Sequence, residues 1–202
     1  MAKLSEGRKL VAYYITQPAA ELLARTSITP NIITWFGFLI TLGAAVLIVT
    51  GHLFVAGLVV LLAGFFDILD GALARRTNQT TRFGALLDST LDRLSEGLLL
   101  LGILILNLLK DQLTVEVLLV CLALIGSLLV SYIRARAEAL GLECQVGLFT
   151  RAERVTVLAL GLLLSQIDYA LITALAIIVL FSFITAGQRV VYVWQQTKVR
   201  EL

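Results

Sequence analysis

Charge is what this 202-residue chain has least of. Asp, Glu, Lys and Arg make up only 15% of it, against about a quarter in ordinary soluble domains, and none occurs from Thr26 to Phe66. Proline is also scarce, at two residues, and low-complexity tracts are absent, which excludes a disordered or fibrous chain. Cysteine is limited to Cys121, in an apolar run, and Cys144, in a polar connection, so no disulfide framework is expected. The N-terminus has no apolar core and small-residue cleavage site close behind Lys3, Arg8 and Lys9, so a cleaved signal peptide is not expected. What the chain does have is apolar length: 59% hydrophobic residues, a mean hydropathy of +0.95 and 15 glycines. These belong to an all-α integral membrane protein, its glycines suited to helices that pack closely in lipid.

A spanning helix needs about 20 mostly apolar residues. The charge-free stretch holds two spans divided at Thr50-Gly51-His52, near 33–50 and 53–74. Further spans are expected near 84–109, 113–133, 152–167 and 169–192, the fourth able to continue as a water-exposed helix to Leu140. That makes six transmembrane helices, within a domain covering 26–202. Residues 1–25 form a separate juxtamembrane segment, in which Leu10, Tyr14 and Leu22 recur at helical steps among Lys3, Arg8, Lys9, Glu21 and Arg25. An amphipathic helix lying on the membrane surface fits this pattern, bent or split at Pro18.

The loops set the orientation. Lys3, Arg8, Lys9 and Arg25 precede span one, Arg75, Arg76 and Arg82 lie between spans two and three, and Arg134, Arg136, Arg151 and Arg154 surround the connection from four to five. The alternate connections, at 50–52, 110–112 and 166–168, hold Lys110 as their one Lys or Arg. By the positive-inside rule both termini and the long connections are cytoplasmic, in a multi-pass protein of the cell membrane.

Ionisable groups inside a span cost roughly 2.5–3.5 kcal/mol each and are therefore usually functional. Here Asp67 and Asp70 are three apart near the cytoplasmic end of span two, and Asp88 and Asp92 four apart near the start of span three. Each spacing puts its pair on one helical face. The short connection makes the two helices antiparallel neighbours, so the pairs meet at one depth. Four facing carboxylates need compensation, and an all-oxygen set favours Mg2+, Mn2+ or Ca2+. Two other readings of the acids are ion pairs with Arg93, Arg75 or Arg76, and a divalent-cation transport path. The path is weakened by the lack of an acidic step in the outer half.

Asp67-x2-Asp70-Gly71-x2-Ala74-Arg75-x8-Gly84-x3-Asp88-x3-Asp92 resembles, at every fixed position, the signature of the CDP-alcohol phosphotransferases. The resemblance implies a dimeric six-span membrane enzyme that transfers a phosphatidyl-type group from a CDP-activated lipid to an alcohol and releases CMP. It implies that Asp67, Asp70, Asp88 and Asp92 hold Mg2+ or Mn2+, two per subunit, with Asp92 also taking the acceptor hydroxyl proton. It further implies that Pro30, Asn31, Ile32, Ile33 and Thr34 at the entrance of span one, together with Gly71, Ala74, Arg75 and Thr81, contact the CDP-lipid.

Around the four-to-five connection, Ser131-Tyr-Ile-Arg134-Ala-Arg136-Ala-Glu138-Ala-Leu-Gly141 and Gly147-Leu-Phe-Thr-Arg151-Ala-Glu153-Arg154, with Gln188-Arg189, resemble bacterial phosphatidylinositol-phosphate synthases and related archaeal enzymes. That likeness implies an inositol phosphate acceptor held by Ser131, Arg134, Arg151, Arg154 and Arg189. It also implies CDP-diacylglycerol, or an archaeal-type ether lipid, as donor. Several cationic donors at one boundary suit a phosphorylated acceptor in any case. A phosphatidylglycerophosphate synthase is the rival within the family. Membrane lipids, a second copy of the chain and no nucleic acid complete the expected partners.

Overall fold

The computed structural model describes residues 17–19, 21–110 and 115–200. From residue 30 onward, six helices follow one another among the described residues: α1 Pro30–Val49, α2 Leu53–Arg76, α3 Arg82–Leu109, α4 Val115–Ala139, α5 Arg151–Leu163 and α6 Ala170–Arg200. Local sequence explains where they start. Thr29 precedes Pro30 at the first position of α1, where proline costs no hydrogen bond. At α3 the Thr81 hydroxyl accepts from the Gly84 N–H at 2.9 Å, and at α5 the Glu153 carboxylate accepts from the Thr150 N–H at 2.8 Å. Gly51, with φ 84°, turns the chain between α1 and α2 in the left-handed region that glycine adopts without strain.

The helices close into a ring. α1 packs on α2 and α3, α3 on α4, α4 on α6, α6 on α5, and α5 back on α2. One half of the ring is filled by a shared apolar core that includes Ile48, Val60, Ile103, Val120, Leu162 and Ile178, one from each helix. The charged signature residues sit at the other end, where α1, α3 and α5 begin and α2 and α4 finish. Outward-facing Leu39, Val46, Leu58, Leu118, Ile125 and Leu180 are exposed, as lipid-facing positions require.

By length and composition, four helices among the described residues can cross a membrane: α1, α2, α4 and α6. This is coarser than the six spans read from sequence. α3 is long enough, at about 42 Å, but Arg82, Asp88, Asp92, Arg93 and Glu96 occupy its first half. α5 has 13 residues, about 20 Å, and ends at Leu163 rather than 167. Ser165 N–H bonds Leu162 O and Ile167 N–H bonds Leu164 O, turning the chain early. α4 continues beyond its span to Ala139, close to the expected Leu140, and α6 runs to Arg200, past the expected 192. Of the proposed N-terminal helix, residues 1–16 lie outside the described residues. Helical turns appear at 17–19 and 21–24, where Ala19, Leu23 and Ala24 pack on Ile33, Leu69 and Leu73 and Glu21 pairs with Arg76 at 2.8 Å.

Small residues set the closest helix approaches. A Cβ added at Gly57 of α2 would lie 2.9 Å from Leu163 Cγ, 3.0 Å from its backbone nitrogen and 3.1 Å from Ala159 O. Since two of those atoms are backbone, Gly57→Ala must push α5 away from α2. It is expected to cost about 1–3 kcal/mol, measured as a lower unfolding midpoint in detergent. Gly43→Ala, with nothing within 4 Å of the new Cβ, should leave the midpoint unchanged or raise it.

Candidate active site

At its charged end the ring opens into two cavities. The smaller, about 170 Å³, lies between the start of α1, the end of α2 and the start of α3. Pro30, Asn31, Thr34, Gly71, Ala74, Arg75 and Thr81 line it, joined by Asp70 and Asp88. Ile32 and Ile33, expected in the same group, do not reach it. Five consecutive helical residues cannot share a face, since each step turns the helix by about 100°. Ile32 accordingly points outward, 55% exposed, and Ile33 is buried against Leu69 and Leu73. Gly71 leaves room for the Arg75 side chain, whose Nη1 lies 3.4 Å from where a Cβ would stand.

The larger cavity, about 530 Å³, is enclosed by α3, the end of α4, the start of α5 and α6. Ser131, Arg134, Arg151, Arg154 and Arg189 all line it, with Asp88 and Asp92 on its α3 wall. Asp88 therefore borders both cavities, as does Ala85.

The four acids are neighbours, but among the described residues no three of them form a single ligand shell. Asp67 Oδ2 takes Arg151 Nη2 at 2.8 Å and Asp92 Oδ1 takes Arg151 Nη1 at 2.6 Å, so one guanidinium bridges α2, α3 and α5. Asp70, 5% exposed, accepts from the Thr34 hydroxyl at 2.6 Å. Close carboxylates repel, and a guanidinium and a hydroxyl offset that repulsion. The arginine is Arg151, from a helix 84 residues away in sequence, rather than Arg75, Arg76 or Arg93. A cation lodged between Asp67 and Asp92 marks a place where positive charge is favoured. The all-carboxylate donor set suits a hard divalent ion.

Each arginine of the larger cavity has a resident partner. Arg134 pairs with Glu138 at 2.8 Å, and Arg154 forks onto Glu96 at 2.5 and 2.8 Å. Arg189, 4% exposed, is held instead by neutral carbonyls, its Nε on Val146 O at 2.9 Å and its Nη1 on Val130 O at 2.5 Å. Its charge thus has no carboxylate partner among the described contacts, which suits it to meet an incoming anion. Sequence reasoning gave no role to Glu96, Ser127 or Glu138. The signal for Glu96 was the run Asp88, Asp92, Glu96 at four-residue steps along one face of α3. Cys121 and Cys144 are unpaired.

Residues 27–194 match the family model for CDP-alcohol phosphatidyltransferases. The chain is 39% identical over 197 residues to the archaetidylinositol phosphate synthase of Methanothermobacter thermautotrophicus, with 96% of each chain covered. It is 37% identical over 202 residues to the phosphatidylinositol phosphate synthase of Mycobacterium tuberculosis H37Rv, covering 96% of this chain and 92% of that one. A crystal structure of the M. tuberculosis synthase with CDP-DAG bound superposes with a TM-score of 0.82 at 36% identity, covering 90% of this chain and 94% of that one. A second, in complex with manganese and citrate, gives 0.80 at 35% identity, covering 89% and 88%.

Proposed function

Because the chain belongs to the CDP-alcohol phosphatidyltransferase family, we propose that it is a phosphatidylinositol-phosphate synthase. It moves the phosphatidyl group of CDP-diacylglycerol to 1D-myo-inositol 3-phosphate and releases CMP. The observation that carries this reading is the pair of cavities meeting at Asp88, one bordered by the signature residues of α1–α3, the other by Arg93, Arg134, Arg151, Arg154 and Arg189.

The smaller cavity takes the CDP-lipid, with Pro30, Asn31, Thr34, Gly71, Ala74 and Thr81 against the nucleotide and Arg75 on phosphate oxygens. The larger takes the acceptor, with Arg134, Arg151, Arg154 and Arg189 facing its phosphate and Ser131 its hydroxyls. An acceptor dianion needs several cationic donors, and Arg189, hydrogen-bonded to the Val146 and Val130 carbonyls, supplies a charge with no direct carboxylate contact among the described residues. On the wall of the larger cavity, one turn from Asp88, Asp92 accepts the proton of the attacking hydroxyl. The acceptor oxygen bonds to the lipid-side phosphorus as the bond to the CMP oxygen breaks. Mg2+ or Mn2+, two per subunit, would be held by Asp67, Asp70, Asp88 and Asp92 and would neutralise charge on the diphosphate and on departing CMP. Arg151, now between Asp67 and Asp92, also borders the acceptor cavity and has a place there for its charge.

The enzyme sits in the cell membrane as a homodimer, with six spans, its 26–202 domain forming the ring. Alternating helix direction and the basic charge gathered at one end support this orientation. A cation path through the ring is disfavoured by the apolar core that fills its other half.

Purified protein with CDP-diacylglycerol and Mg2+ should release CMP with inositol 3-phosphate, and far more slowly with unphosphorylated inositol or glycerol 3-phosphate. Turnover with glycerol 3-phosphate alone would make it a phosphatidylglycerophosphate synthase. Given the similarity to the Methanothermobacter enzyme, an ether-linked CDP-lipid is the second donor to compare.

A further inference from the structure

Glu96 lies one turn beyond Asp92 on α3, 5% exposed, and lines neither cavity. Its carboxylate nevertheless commands Arg154. It accepts from Arg154 Nε at 2.5 Å and from Nη2 at 2.8 Å, and the buried Ser127 hydroxyl of α4 donates to the same Oε1 at 2.8 Å. Arg154 is 2% exposed and lines the larger cavity, yet its Nη1 is buried with no hydrogen-bond partner among the described residues.

A guanidinium carries five N–H groups in a rigid fork. Committing Nε and Nη2 to Glu96 fixes its plane and leaves Nη1, with both its protons, as the free end. A buried charged donor without a partner is costly, and a buried ion pair adds little stability over apolar packing of the same volume. Stability is therefore a poor reason for this pair, and an anion drawn against the wall that Arg154 forms would supply the partner that the buried Nη1 lacks. The geometry repeats one turn away: Asp92 and Glu96 on α3 face Arg151 and Arg154 on α5. These two rungs span the space between helices that are not neighbours in the ring.

Resting on the synthase reading, we propose that Glu96 is a positioning residue for acceptor recognition. It locks Arg154 so that Nη1 meets the acceptor's phosphate, and Ser127 holds Glu96 in turn. The effect falls on the acceptor and not on the CDP-lipid, because the smaller cavity includes neither Glu96 nor Arg154.

The test compares wild type, E96Q, S127A, R154A and the E96Q/R154A double variant, with KM measured separately for inositol phosphate and CDP-diacylglycerol. E96Q is expected to raise the acceptor KM by about 10- to 100-fold, with the CDP-lipid KM within about twofold of wild type. S127A should raise the acceptor KM severalfold, and the double variant should be no worse than R154A alone. Preference for inositol phosphate over free inositol should fall in parallel, which a merely structural role would not produce. Unchanged acceptor KM in both E96Q and S127A, or additive losses in the double variant, would overturn the proposal. If E96Q does not fold, E96D, which keeps the charge but shortens its reach, and S127A decide it by the same KM. Should wild type transfer to no phosphorylated acceptor, the synthase reading fails. Calorimetric binding of inositol phosphate then decides the role of Glu96, unchanged affinity in E96Q counting against it.

Discussion

Asp92→Asn is expected to lower kcat for CMP release by on the order of 10³-fold, while CDP-lipid binding stays close to wild type. Asn has the shape of Asp and still accepts a hydrogen bond, so Arg151 keeps a partner at 92 and its full ion pair with Asp67. Asp92 lies on the wall of the larger cavity and outside the lining of the smaller one, so the donor should be held as before. What Asn cannot do is take a proton from the acceptor hydroxyl or contribute negative charge to a metal. Steady-state CMP release and equilibrium binding of CDP-diacylglycerol, measured on the same preparation, separate the two roles. Wild-type turnover in the variant would remove Asp92 from the reaction.

Asp67→Asn should fail differently. Asp67 borders α1, with Gly37 so close that a Cβ there would lie 3.3 Å from Asp67 Oδ1, and it shares Arg151 with Asp92. Removing its charge takes one of four carboxylates from the site and frees the guanidinium to pair with Asp92 alone. Mn2+ affinity is expected to fall by on the order of 100-fold, read directly by calorimetry or by the free-ion resonance signal; Asp67 lines neither cavity, so nucleotide affinity falls alongside only through the lost metal, and only when metal is present. The contrast is the informative part. Asp92→Asn separates binding from turnover, whereas Asp67→Asn lowers metal binding and donor binding together. Wild-type Mn2+ affinity in Asp67→Asn would contradict its place in the metal site.

Much of this architecture can be read from the chain because a bilayer makes its demands at the level of composition. The charge-free stretch from Thr26 to Phe66 and the turn at Gly51 give α1 and α2 nearly residue by residue, and the three- and four-residue spacings of the acids put them at one end. Less legible were the features that depend on helices distant in sequence. α5 is shorter than its apolar pattern suggests, because turns at 164–169 compete with the helix. Ile32 and Ile33 belong to the motif that precedes span one, but helix geometry turns both away from the cavity.

The interleaving of acids and arginines was also hidden. Local spacing shows that Asp92 and Glu96 share a face, but not that Arg151 and Arg154, more than fifty residues further on, will lie opposite. In the sequence Glu96 reads only as one more charge near the membrane boundary, and Arg154 only as a ligand of the acceptor. The ring closure between α5 and α2 brings these residues together, and no local pattern encodes it.

The most direct test of the account is the identity of the lipid made by purified protein in liposomes containing CDP-diacylglycerol, given inositol 3-phosphate and Mg2+. The predicted result is phosphatidylinositol phosphate by mass, one CMP released per lipid formed, and no product when a chelator removes the metal. A different phospholipid, or metal flux across the liposome membrane with no CMP released, would contradict it.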